Sequence, residues 1–152
     1  MGNTGIVFSP DAVAMIYAIF GMGALSFCMM IWMTVARTIA MNRLDIDTRA
    51  AKRTIELKAL LPYSANRVAD NYNHLFEAPT VFYAVTLSIV VIGWADPLHA
   101  ACAWAFLVFR TGHSIIQATI NHVPLRIWLY AFSWLALATM IARSVFSAIS
   151  AT

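Results

Sequence analysis

The sequence predicts an all-α integral membrane protein built as a four-helix bundle, and three observations carry that prediction. Charged residues make up only 11% of the 152-residue chain, against 61% hydrophobic ones, where a soluble domain carries about 25% charged residues. Mean hydropathy is +0.73, so too little polar surface exists to cover a water-facing globule. Four long apolar stretches are separated by polar or turn-forming segments. The whole chain, residues 1–152, reads as one transmembrane domain with no internal repeat.

The first span is expected over about 12–36, where no charge occurs, long enough for the roughly 20 residues a bilayer requires. Met29, Met30 and Met33 on it are expected to pack against other helices. A polar loop over about 37–63 follows and holds six of the ten basic residues, mixed with Asp45, Asp47 and Glu56. The second span is expected over about 64–94, ending at the turn signal "WADP". The third runs over about 98–120 to a tight turn at "NHVP", and the fourth over about 125–148. The basic excess places the 37–63 loop in the cytoplasm and both termini outside, in the positive-inside sense, most simply in a bacterial inner membrane. Arg143 fits by reaching toward the far interface.

The net charge of +3 belongs to that loop and does not make a phosphate-tracking groove, so nucleic acid is not an expected partner. Cys28 and Cys102 fall in apolar runs and are expected to be buried free thiols. The amino terminus "MGNTGIVFSPDA" lacks a positive leader region, and Ile6 breaks the myristoylation pattern.

Polar residues inside the spans carry the functional reading. Arg67, Asp70, Asn73, His74 and Glu77 fall within an arc of about 120° on a continuous second helix. Arg110, His113, Ser114, Gln117 and Asn121 occupy about 100° of the third, and Arg126, Tyr130 and Ser133 line a strip of the fourth. Glu77 lies about 15 Å along the axis from Arg67, and Arg110 about 16 Å from Asn121. Both therefore reach mid-membrane depth, where a lone charge costs several kcal/mol. An ion pair between Glu77 and Arg110 is expected, and Glu77→Ala should then lose folded protein. Nearer the surface, Asn73, His74, His113, Gln117, Arg126 and Tyr130 bring amide, imidazole, guanidinium and phenol groups to one level. Such a set suits a flexible polar ligand carrying carboxylates.

Competing chemistries are weaker. His74, His99, His113 and His122 share no tight ligand spacing, so no metal site is expected; haem on His74 and His113 is a lesser alternative. No phosphate loop or nucleophile triad is present in the motifs. A small channel or transporter using the mid-membrane charges also remains open.

Two segments resemble a known family. "RVADNYNHLFEAPTVFY" and "WAFLVFRTGHSIIQATINHVPLRIWLYAF" are similar to the second-helix and third-to-fourth-helix signatures of the MAPEG superfamily, the membrane-associated proteins in eicosanoid and glutathione metabolism. The likeness is strongest to its microsomal prostaglandin E synthase and glutathione transferase branches and to short bacterial members. It implies a homotrimer of four-helix subunits with glutathione held between subunits, acting on a lipophilic substrate as transferase or peroxidase. By position, Arg126 resembles the thiolate-stabilising arginine, Glu77, His113 and Tyr130 resemble glutathione contacts, Arg110 a buried arginine beneath them, and Arg37 a basic residue near the ligand carboxylates. The sequence departs from the pattern at Asn73, His74, Gln117 and Ile127, which stand where an arginine, an asparagine, a tyrosine and a serine are usual. The alternative is a non-catalytic subunit of a larger membrane complex, on the same scaffold, whose pocket binds lipid or quinone.

Overall fold

The computed structural model describes residues 8–46 and 54–150, and among these the chain is helical throughout, with no strand. The reading at Ile6, Asp47 and the basic residues Arg49, Lys52 and Arg53 lie outside the described residues. Helix α1 spans Pro10–Arg43, α2 Thr54–Leu60, α3 Tyr63–His74, α4 Ala78–Val91, α5 Pro97–Ala118 and α6 Val123–Ser150.

Each boundary has a local cause. Ser9 caps α1, accepting from the Ala12 N–H at 3.2 Å, and Pro10 occupies the first turn, where its missing N–H costs nothing. The helix then continues seven residues past the expected end at 36, because "RTIAMNR" contains no breaker before the left-handed turn at Asp45. Gly93, at φ +78°, ends α4, and the Trp94 N–H reaches back to the Ile89 carbonyl at 3.0 Å. That is the left-handed cap that glycine alone adopts cheaply. Asp96 then caps α5, accepting from the His99 N–H at 2.8 Å.

The expected second span is two helices, not one. Pro79 sits in the first turn of α4. Its ring lacks an N–H and crowds the carbonyl four residues earlier, so a helix running through 75–79 cannot close its bonds. The chain instead takes tight turns, with Leu75 N–H on the Tyr72 carbonyl and Phe76 N–H on the Asn73 carbonyl. Glu77 is left at φ −94°, ψ −95°, outside both helices.

Packing follows from this order. α5 and α6 form an antiparallel pair, while α1 lies against α3, α4 and α5. Met15, Met22 and Met29 recur every seven residues and bury on one face of α1; Met33 packs at its edge. Phe82 of α4 stacks on Phe106 of α5 with centroids 4.3 Å apart. A Cβ on Gly21 would lie 2.5 Å from the Leu107 side chain, so the glycine permits the close approach of α1 to α5.

The outside is apolar. Phe20, Phe27, Val91 and Phe146 are each at least 60% exposed, a surface that water does not tolerate on this scale. Three segments, Pro10–Arg43, Tyr63–Val91 and Val123–Ser150, are long and apolar enough to cross a membrane. α5 has the length but carries its polar stripe inward: Arg110, His113, Ser114 and Gln117 are all buried. Cys28 and Cys102 are free thiols, but Cys28 is exposed on the apolar outside, contrary to its expected burial.

At the end of the molecule away from the 37–63 segment, Asp96 also receives Arg143 Nε at 2.6 Å. His99 Nδ1 lies 3.1 Å from the same carboxylate. Burial works against ionisation of Asp96, but the His99 N–H and Arg143 overcome it and hold the carboxyl below its ordinary value. A depressed carboxylate contributes stability above its unfolded pKa and loses it as pH falls through the folded one. Asp96→Asn keeps the helix cap and loses the pair with Arg143. It should lower the melting temperature in detergent at pH 7, with the difference from the parent shrinking as pH falls below the ordinary carboxylate range and vanishing once the folded carboxyl is protonated. Asp96→Ala loses the cap as well, adding about 1 kcal/mol at either end of that pH range.

Candidate functional site

A cavity of about 200 Å³ opens between the α3–α4 break, α5 and the first turns of α6, lined by His74, Glu77, His113, Gln117, Arg126, Ile127 and Tyr130. Six of the residues expected from the sequence thus meet in one place. Arg110 lies behind the wall, its guanidinium carbon 5.4 Å from the Tyr130 ring centre. Arg37, on α1, and Asn73, exposed on α3, do not line this cavity.

His113 is the hub of the α5 side. Its Nδ1 lies 2.9 Å from the Arg126 main-chain carbonyl and its Nε2 lies 2.9 Å from Gln117 Oε1. A carbonyl can only accept, so Nδ1 carries the proton. Nε2 faces the Gln117 side-chain amide, so both ring nitrogens are engaged. The imidazole is therefore locked in place, with its edge held against α6.

Arg126 is half-buried and donates from Nη1 to Asn121 Oδ1 at 2.7 Å. Asn121 occupies the turn between α5 and α6 at φ +50°, a conformation that asparagine accepts more readily than most residues. Its amide nitrogen also donates to the Tyr63 hydroxyl, tying the turn to α3. One turn further along α6, Tyr130 faces the cavity, with its ring 5.7 Å from that of His113.

The expected ion pair between Glu77 and Arg110 is not formed. Glu77 Oε2 pairs with His74 Nδ1 at 2.9 Å, and both side chains are about half exposed. Arg110 is fully buried and donates from Nη2 to the His74 main-chain carbonyl at 2.7 Å. The cause is the break ahead of Pro79. It turns Glu77 off the helical face from which the pairing was derived, and it leaves the His74 carbonyl with a long 3.4 Å contact from the Glu77 N–H in place of a helical bond, room that the guanidinium uses. The remainder of the second-helix stripe stays on α3 but meets other neighbours: Asp70 pairs with Lys58 at 2.7 Å, and Arg67 lies in a separate cleft against α1.

Sequence reasoning passed over Asn71, whose side chain is fully buried with neither amide atom bonded to a protein partner. A signal existed: Asn71 follows Val68 by three residues and precedes Leu75 by four, so it shares their inward face. Thr86 on α4 is likewise buried and was not singled out.

A sequence model described as the MAPEG family matches residues 15–146, which includes every residue of the cavity. The chain belongs to the MAPEG family. No curated protein and no solved structure matches it. Family membership and the three apolar segments together make this MAPEG chain an integral membrane protein.

The changed pairing reverses one expected outcome. Glu77→Ala removes a half-exposed pair, so it should cost no more than about 1 kcal/mol and leave folded protein in detergent. Arg110→Met should cost about 2 kcal/mol or more, because it removes the charge-assisted bond to the His74 carbonyl and leaves that oxygen only the long Glu77 N–H contact among the described residues. Melting curves of the two variants side by side check the order.

Proposed function

We propose that this MAPEG protein is a glutathione-dependent membrane transferase or peroxidase acting on lipophilic electrophiles. The observation that carries the reading is the cavity itself, where a guanidinium, an imidazole, a carboxylate and a phenol converge inside an otherwise apolar bundle. α5 serves as the fourth membrane span, its polar stripe turned into the bundle and away from acyl chains.

The residues fit a bent tripeptide thiol in kind. Arg126 offers paired N–H donors, Glu77 suits an ammonium group, and Tyr130 and the His113–Gln117 pair suit peptide and carboxylate oxygens. One chain does not supply enough. Its 200 Å³ falls short of the roughly 300–1,000 Å³ usual for ligand pockets, and one arginine faces two ligand carboxylates. A homotrimer answers both shortfalls, with the cavity closed by a neighbour and Arg37 of an adjacent subunit as the second cation. The arginine-rich end around Arg37, Arg43 and Arg67 faces the cytoplasm, from which a water-soluble thiol enters.

Glutathione, when bound, supplies the sulfur nucleophile. Arg126 favours the thiolate by charge and hydrogen bonding, as positive neighbours do for reactive cysteines. Asn121 and the fixed His113 ring hold that end of α6 in register, and the bundle walls exclude water from the developing charge.

A second reading has its own support. The cavity groups already satisfy one another through the His113–Gln117, Arg126–Asn121 and His74–Glu77 contacts, and Ile127 adds an apolar wall. That suits a non-catalytic subunit holding lipid or quinone. Glutathione decides between them: a native-state ligand at 100 times its Kd raises stability by about 2.7 kcal/mol, so the first reading expects a clear rise in melting temperature and the second expects none. Arg126→Ala should lower conjugation or peroxide turnover by about a hundredfold or more while the fold persists. Unchanged turnover would remove Arg126 from the chemistry.

A further inference from the structure

A second, larger cavity of about 430 Å³ lies between the carboxyl-terminal half of α1 and the start of α3, away from the polar site and sharing none of its residues. Its walls are apolar, with Trp32, Val35 and Ile39 from α1 facing Val68 from α3. Its lining also holds two arginines, Arg43 at the end of α1 and Arg67 in the second turn of α3. We propose that this cleft is a binding site for one anionic phospholipid, with an acyl chain between α1 and α3 and the phosphate held by Arg43 and Arg67.

The argument begins with length. Trp32 to Arg43 spans about 16 Å of helix, close to half of a hydrocarbon core about 30 Å thick. The cleft is therefore as deep as one leaflet. Its chemistry changes along that depth in the order a lipid presents, from apolar wall in the interior to guanidinium at the surface. Its volume is that of an ordinary ligand pocket.

Charge selects the headgroup. Arg67 is half-buried, and its Nε is buried without an acceptor among the described residues. The nearest acidic residue along its helix, Asp70, is already taken by Lys58. Arg43 ends α1 exposed, and among the described residues it makes no ion pair. A phosphate diester supplies acceptors that neither arginine finds among the described residues, and guanidinium binds phosphate oxygens in pairs. Basic pockets between membrane helices bind anionic headgroups on this basis. A zwitterionic lipid brings its own cation to the same place and gains less.

The proposal does not depend on the glutathione reading, and its test leaves the polar cavity untouched. The full chain in detergent is exposed to equal amounts of phosphatidylglycerol and phosphatidylcholine with matched acyl chains, and retained lipid is counted by native mass spectrometry. The unchanged protein should keep phosphatidylglycerol in preference. R43Q/R67Q together should lower that preference about tenfold or more, and R43K/R67K should recover part of it. Ala36→Phe, which fills the cleft wall, should expel both lipids. Millimolar inorganic phosphate should displace neither. Equal retention of the two lipids by the unchanged protein overturns the proposal even if the arginine variants fail to fold. So does an unaltered preference in R43Q/R67Q, or displacement by inorganic phosphate. A disulfide between copies through Ile39→Cys in bilayers would seat a second chain in the cleft and overturn it as well.

Discussion

A single buried guanidinium organises this molecule. Arg110 is fully enclosed and reaches across from α5 to the His74 carbonyl at 2.7 Å. In a bilayer, an unpaired backbone carbonyl and an unpaired side-chain charge are each costly, and helix breaks survive only where something else satisfies the freed groups. The break ahead of Pro79 leaves the His74 carbonyl only a long contact with the Glu77 N–H, and Arg110 completes it. The break and the arginine therefore support one another: the break opens the His74 carbonyl to the guanidinium, and the guanidinium supplies the stronger of that carbonyl's two bonds.

The polar cavity grows from that arrangement. Because α3 ends at His74, the His74 and Glu77 side chains stand at a corner, not on a straight face, and that corner meets the first turns of α6. Tyr130 is held between the His113 ring and the Arg110 guanidinium. Asn121, through Tyr63 on one side and Arg126 on the other, links the α5–α6 turn to α3. Three helices and the break between α3 and α4 thus contribute to one small hollow, while most of the remaining interior is apolar and packed for close approach.

What the sequence made legible depended on whether a helix was continuous. The α5 stripe was readable because nothing interrupts Pro97–Ala118, so angular spacing translated directly into the inward positions of Arg110, His113, Ser114 and Gln117. The same arithmetic failed across 67–77 because it assumed one rod through Pro79. Residues on either side of a proline break do not share an angular frame, and so Glu77 left the face of α3; Arg67 and Asp70 remain on that helix and meet nearer neighbours on α1 and α2. The fuller extent of α1 was missed for a related reason: charge density at Arg37–Arg43 was read as loop, although nothing there ends a helix. Pairing was the least legible feature. Opposite charges at equal depth suggested Glu77 with Arg110, whereas the partner was a main-chain atom that no side-chain pattern reports.

The contact between His113 and residue 126 carries one more implication. The imidazole grips the main-chain oxygen at that position, which every amino acid possesses. The frame is therefore indifferent to which side chain projects from there into the hollow. Mutation can exchange the side chain at this site while its mounting stays fixed, so a lineage built on this architecture is free to change what the hollow presents without first rebuilding its scaffold.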